Sequence, residues 1–466
     1  MIFTHDNIII NKGSFLICGQ MKAEAHSCLC KNIFEDFWHG FSYSSSSISI
    51  INVNDLIFRI GNAAMPDIKD KAYGINVEES GVCICAKNEK ELIRGFMTFL
   101  DLISPRFADN GAEVKCLQIT ESPCIENRMV HFCIFPQTEL WELERFIRFC
   151  GALKYSHIVL EFWGMLKYDC MNELSWASAY SKEQIKPLID MAKDLGMDII
   201  PMFNHWGHAS AGRVMHGKHV VLDQNPALQY YFSDDGWCWD IRKPKVRELL
   251  RQIRNELCQL CGSGEYFHIG CDEAYNFSFT KENTDFICDF INEISSEMQS
   301  NGRRIIAWGD MFLYRYPTYN PNNRYSCNCA SPECEKYMLE RLSRDVIIAD
   351  WQYNVKEAPV ETSSVFTRAG FECLICPWDR GDAQIRACVN TVKESSTLGI
   401  MHTTWHTLSS GMPYVTIAAA GGYCSIDNYG IKAARTHTAS IFRKVYPIHG
   451  DYRKAGWASE ETGVIT

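Results

Sequence analysis

The hydrophobic pattern of this 466-residue chain changes character near residue 120. Before that point short strands dominate. "YGINVEESGVCICA" (Tyr73 to Ala86) alternates and turns at Glu79–Gly81, which predicts a β-hairpin. "NEKELIRGFMTFLDLI" follows, with Leu92, Phe96, Phe99 and Leu100 at helical spacing. Residues 1–120 are expected to form a small α/β accessory domain, with the serine run Ser44 to Ser47 as a loop.

From Arg128 onward, apolar runs alternate with amphipathic stretches. The runs are "RMVHFCIF", "HIVLEFW", "DIIPMFNHW", "YFHIGC", "RIIAWGD", "VIIADWQ", "ECLICPWD" and "GIMHTTWH". Helical stripes separate several of them: Leu140, Leu143, Phe146, Ile147 and Cys150; Lys182 to Leu195; Val246, Leu249, Leu250, Ile253 and Leu257; Ile287, Phe290, Ile291, Ile294 and Met298. Eight strands that read as continuous apolar runs, with helices between them, predict a (β/α)8 TIM barrel over 121–466. A doubly wound open sheet is the alternative, but it commonly has fewer strands, and no glycine-rich phosphate loop is present.

Composition narrows the function classes. The chain is 46% hydrophobic and 22% charged, an ordinary globular balance. With 46 basic and 56 acidic residues the net charge is −10, and no basic tract suggests a nucleic-acid partner. The N-terminus lacks a basic segment followed by an apolar one, and no window reaches the ~18 apolar residues of a membrane span. The expected location is therefore cytoplasmic, with secretion left open for a longer form. The 22 cysteines are scattered through apolar strands and read as reduced, buried small residues. Cys258 with Cys261, and Cys327 with Cys329 and Cys334, are tighter clusters without the paired spacing of a zinc ribbon.

In such a barrel the C-terminal strand ends build the active site. Strand four would deliver Asp272 and Glu273 there. Strand two would deliver Glu161 and Trp163, and strand three His205, Trp206 and His208. Trp308 and Asp310 come from strand five, and Trp351 and Tyr353 from strand six. Strands seven and eight supply Trp378 with Asp379 and Trp405 with His406. Six of the twelve tryptophans thus share one rim, where flat apolar rings between polar groups suit a sugar. An adjacent acid pair also serves as a helix N-cap. At this rim, however, two close carboxylates raise one pKa, and an acid protonated near neutrality is what cleavage of a glycosidic bond requires.

"HIGCDEAY" (His268 to Tyr275) resembles the His-x-Gly-x-Asp-Glu signature of glycoside hydrolase family 20, the β-N-acetylhexosaminidases. The similarity extends to the preceding α/β domain, to "AWGDMF" and to the later strand-end tryptophans. The resemblance implies a retaining, substrate-assisted mechanism on a terminal β-linked GlcNAc or GalNAc, with no cofactor. Glu273 matches the general acid/base and Asp272 the carboxylate that orients the 2-acetamido group. Arg128 matches a sugar-binding arginine, and Trp308, Trp351 and Trp405 match the wall of the acetamido pocket. Family members commonly place a tyrosine after strand seven to bond the acetamido carbonyl. Here that region is "PWDRGD", which leaves Tyr353 as the substitute. "TTWHTL" offers His406 and Thr407 where a glutamate is usual, and "FNHWGH" keeps only Gly207 and His208 of "DxPGH". Two rivals stand beside this reading. One is a metal-dependent barrel hydrolase using His205, His208, His268, His402 and Asp272. The other is a sugar-binding protein without catalysis, against which the presence of Glu273 counts.

Overall fold

The computed structural model describes residues 8–41, 47–106, 111–210, 221–314, 324–405 and 408–445. Eight strands precede residue 122: β1 (Ile8–Ile17), β2 (Gln20–His26), β3 (Ser47–Val53), β4 (Ile57–Gly61), β5 (Tyr73–Glu78), β6 (Gly81–Ala86), β7 (Ser104–Arg106) and β8 (Gly111–Glu121). They form one sheet in the order β1-β8-β5-β6-β4-β2-β3, with β7 on β8. β5 and β6 pair antiparallel from Tyr73↔Ala86 to Glu78↔Gly81, closing a hairpin where the alternation broke. The helices Cys28–Phe41 and Glu89–Leu102 pack on this sheet through the rings of Phe34, Phe58, Phe96 and Phe99. Asn88 caps the second helix by accepting from Glu91 N at 3.0 Å.

Eight parallel strands then close a barrel: β9 (Asn127–Cys133), β10 (His157–Glu161), β11 (Asp198–Met202), β12 (Tyr266–His268), β13 (Arg304–Trp308), β14 (Ile347–Trp351), β15 (Cys373–Cys376) and β16 (Gly399–His402), which returns to β9. All are buried on both faces because the crossover helices cover the outside, which explains the unbroken apolar runs. Met129, Val159, Ile200, Met202, Ile306, Ile347, Ala349, Leu374 and Met401 fill the interior below the rim. No described helix is long and apolar enough to cross a membrane.

Beneath the barrel the two parts meet through buried charge. Lys154 donates to Glu121 Oε2 (2.6 Å), to Tyr73 Oη (3.0 Å) and to Thr98 Oγ1 (3.0 Å). On the C-terminal helix Ile431–Val445, His437 Nε2 lies 3.0 Å from Asp101 Oδ2, and Lys444 lies 3.5 Å from Asp101 Oδ1. No disulfide joins any of the 22 cysteines, and most are buried.

Candidate active site

The acid pair lies four and five residues past the end of β12, in a loop with an unusual backbone. Gly270 (φ 67°), Cys271 (φ 77°) and Glu273 (φ 48°) are left-handed, a region that costs a non-glycine residue about 1–3 kcal/mol and marks functional sites. The turn still bonds the barrel, since Trp308 N donates to Gly270 O at 2.9 Å. Two glycines make it possible. A Cβ on Gly270 would stand 1.8 Å from Asn204 Oδ1, and one on Gly207 would stand 1.9 Å from Asp272 O.

This backbone separates the environments of the two carboxylates. Asp272 points inward and is buried. Its Oδ2 lies 3.4 Å from His208 Nε2, and its Oδ1, buried as well, has no partner among the described residues. Glu273 is less buried, and its Oε2 lies 2.9 Å from the same His208 nitrogen. Its N–H donates to Asp310 Oδ2 (3.0 Å), and its carbonyl accepts from Trp237 Nε1 (2.6 Å) and from Tyr275 N (2.8 Å). Asp310 also accepts from Asn328 Nδ2 (2.7 Å) and from Trp351 Nε1 (3.0 Å). Burial is the chief force raising the Asp272 carboxyl to about 7; His208 opposes it, while Asp310, Glu273 and Glu161 add repulsion. Burial likewise raises Asp310 to about 6, with the donors around it pulling the other way. Two carboxyls of this network, Asp272 and Asp310, are therefore raised toward neutrality.

The aromatic side of the pocket is continuous. The ring of Trp405 lies 5.5 Å from that of Trp308 and 4.6 Å from that of His131. Tyr353 lies 5.0 Å from Trp351 and 5.1 Å from Trp378. Trp405 Nε1 donates to Tyr353 Oη at 2.6 Å, and Thr403 Oγ1 is 3.1 Å from that oxygen. Trp308 is fully buried under this wall and packs on His268 at 4.4 Å. The Arg380 guanidinium covers Trp378 at 4.2 Å, and burial raises the neighbouring Asp379 carboxyl.

Several expected positions land elsewhere. Arg128 does not reach the site. It is the second residue of β9, at the N-terminal end of the barrel, and is buried. Its guanidinium donates to the carbonyls of Lys154 (3.1 Å), Ile125 (2.6 Å) and Glu126 (2.8 Å). An arginine that starts a parallel strand sits at the face opposite the catalytic loops. Glu161 lies beneath the pocket: its Oε2 meets His131 Nε2 (3.0 Å) and Cys133 Sγ (2.8 Å), and its Oε1 accepts from Asn204 Nδ2 (2.6 Å). Trp206 packs on Phe277 at 4.6 Å, and His205 turns back to Phe203 O at 2.6 Å. His406, with Thr407, lies outside the described residues.

Among the described residues two groups present ligand atoms close enough to share a metal: His131 with Cys133 and Glu161, and His208 with Asp272 and Glu273. Neither includes His205, His268, His402 or the two cysteine clusters. Sequence reasoning passed over Asn204, Trp237, Tyr275 and Asn328. Trp237 and Asn328 lie in the long loops after β11 and β13, where a strand-end rule has no reach. Asn204 is two residues past β11, and Tyr275 sits inside the quoted motif; both were legible by position alone.

Comparison with known proteins agrees with this architecture. Residues 157–377 match the family described as glycosyl hydrolase family 20, catalytic domain. The β-hexosaminidase subunit A1 of Dictyostelium discoideum is 22% identical over 270 residues, covering 53% of this chain and 49% of that protein. The lacto-N-biosidase of Bifidobacterium bifidum is 21% identical over 292 residues, covering 55% of this chain and 24% of that protein. The chain thus spans half or less of the length of these curated relatives. Among solved structures, an exo-β-N-acetylglucosaminidase of Vibrio harveyi has a TM-score of 0.67 at 15% identity, covering 96% of this chain and 78% of its own. A β-N-acetylhexosaminidase of Bacteroides fragilis has a TM-score of 0.64 at 15% identity, covering 99% and 94%. At these identities the structural likeness speaks to the fold.

Proposed function

We propose that this chain, whose residues 157–377 match the catalytic domain of glycoside hydrolase family 20, removes a terminal β-linked N-acetylhexosamine, GlcNAc or GalNAc, from a glycan with retention of configuration. The observation that carries the proposal is the buried, unpartnered Oδ1 of Asp272 beside a more accessible Glu273. A buried acceptor without a donor is costly, and an acetamido N–H entering the pocket supplies one.

That bond explains how the adjacent acids divide the work. Burial favours a protonated Asp272. An N–H donated to Oδ1 stabilises the ionised form instead, which leaves the acid role to Glu273. Tyr353, fixed by Trp405, offers its hydroxyl to the acetamido group, and Trp351 and Trp405 flank the sugar. The acetamido oxygen then attacks C1 as the C1–O bond breaks, and Glu273 gives its proton to the departing oxygen. Asp272 balances the positive oxazolinium. In the second half Glu273 takes a proton from the water that attacks C1, the oxazolinium ring opens, and the β anomer returns.

The test is a panel of aryl β-glycosides with and without a 2-acetamido group, assayed with and without a chelator. Turnover confined to the 2-acetamido sugars and indifferent to the chelator is expected. Equal turnover of a β-glucoside would refute the substrate-assisted route, and loss of activity with the chelator would favour a metal held by His208, Asp272 and Glu273.

A further inference from the structure

The mechanism proposed above uses neither Trp237 nor Tyr275, yet several bonds place them. Both hold the same atom of the proposed acid, because Trp237 Nε1 (2.6 Å) and Tyr275 N (2.8 Å) donate to Glu273 O. Their rings stack, 6.0 Å apart and 20° from parallel. Trp237 also packs on His208 at 4.4 Å. Asp235 locks the pair together: it accepts from Trp237 N (3.0 Å) and Ser233 Oγ (2.6 Å) on one loop, and from Asn276 Nδ2 on the other. Those donors outweigh burial and hold the Asp235 carboxyl below its usual range, so the clamp stays ionised at neutral pH.

Tyr275 is 58% exposed, unusual for a ring held at an active site and stacked on a second one. Asp272 and Trp308 are buried, whereas Trp237 is half-buried and Tyr275 is exposed. A general acid must touch the oxygen between the two halves of its substrate. The half that leaves therefore projects outward across Glu273, toward these rings.

We propose that Trp237 and Tyr275 form a stacking platform for the leaving group, and that this platform selects substrates whose leaving group is itself a sugar. The proposal rests on the hexosaminidase reading above and adds the chemistry of the leaving side: a pyranose presents a flat CH face to an aromatic ring, and a small alcohol does not. The same surface would seat a free sugar returning as acceptor in place of water.

The test compares a β-1,4-linked GlcNAc disaccharide with methyl β-N-acetylglucosaminide. Both have poor leaving groups that need protonation, so they differ chiefly in what occupies the platform. The readout is the ratio of their kcat/KM values in the wild type, Tyr275→Ala and Tyr275→Phe. Losing one stacking contact should lower the ratio about tenfold in Tyr275→Ala, whereas Tyr275→Phe, which keeps the ring and drops the hydroxyl, should hold it within about twofold. Circular dichroism and melting curves control for folding. A ratio unchanged in Tyr275→Ala, with the wild type active, would overturn the platform and leave the hexosaminidase reading standing. Equal losses on both substrates in both variants would also overturn it, assigning the Tyr275 hydroxyl a role on Glu273 instead. A wild type inactive on both substrates would remove the reading beneath the proposal, and the proposal with it.

Discussion

Asp272→Asn isolates what a buried carboxylate adds to an acetamido nucleophile. The substitution is nearly isosteric and retains an oxygen, so substrate can still enter between Trp351 and Trp405. Two contributions disappear. An N–H bond to a charged acceptor is worth ~1.5–3 kcal/mol. A carboxylate ~4 Å from the positive oxazolinium contributes ~4 kcal/mol at an effective dielectric of ~20. The two overlap, and a combined loss of ~4–5.5 kcal/mol corresponds to a drop in kcat of ~10³–10⁴. KM should change by less than about threefold, because the charge being balanced develops only in the transition state.

The same variant carries an internal control. The Asp272 carboxyl is raised to about 7 in the folded protein, against an ordinary carboxylate value, by burial and by its acidic neighbours. The native state therefore binds that proton more tightly than the unfolded chain. Its stabilising contribution is complete below the unfolded pKa and is lost as pH rises through the folded value. Asparagine has no charge to bury, so Asp272→Asn should melt higher than the wild type at pH 8, with the gap closing toward pH 4. The assay is kcat and KM for 4-nitrophenyl β-N-acetylglucosaminide across pH 4–9, with melting scans in the same buffers. A kcat within tenfold of wild type, or a loss carried entirely by KM, would refute the account of Asp272.

Further substitutions probe other links. Glu273→Gln removes the transferable proton and should lower hydrolysis of a disaccharide by ~10²–10⁴, but much less for a highly acidic phenol leaving group, as measured by a leaving-group series. Trp351→Ala should raise KM and lower kcat, because it strips a wall of the pocket and a donor from Asp310; Trp141→Ala, at a ring 38% exposed on the outer helix, should leave both constants unchanged. Lys154→Met leaves Glu121 buried without its cation and should cost ~3–5 kcal/mol in denaturant unfolding, an effect that Glu121→Gln in the same chain should partly restore.

Legibility in the sequence followed the physics that each element obeys. Parallel strands covered on both faces must be apolar throughout, so eight runs from "RMVHFCIF" to "GIMHTTWH" were visible without any structure. The acid pair was visible because two carboxylates after such a run are expensive unless used. Arg128 shows where this reasoning ends. Its place on the first barrel strand was right, but a strand has two ends, and apolar periodicity does not say which end a polar residue closes; the carbonyls of Ile125, Glu126 and Lys154 claimed it for the lower face.

Glu161 shows a second limit. It stands at the correct end of β10, but side chains alternate in depth as well as in face, and His131, Cys133 and Asn204 draw its carboxylate under the floor. Trp237 was hidden for a third reason. Thirty-four positions separate it from the end of β11, and the Asp235 clamp, the His208 ring, Ala209 N and the carbonyl of Glu273 bring it back to the acid. Strand geometry governs the inner half of the site, which made the wall for the removed sugar readable. The outer half depends on loop-to-loop bonds with no periodicity, so the surface that meets the leaving group emerges only from the folded chain. Specificity for that group can therefore change through the loops without disturbing the barrel pattern that announces the chemistry.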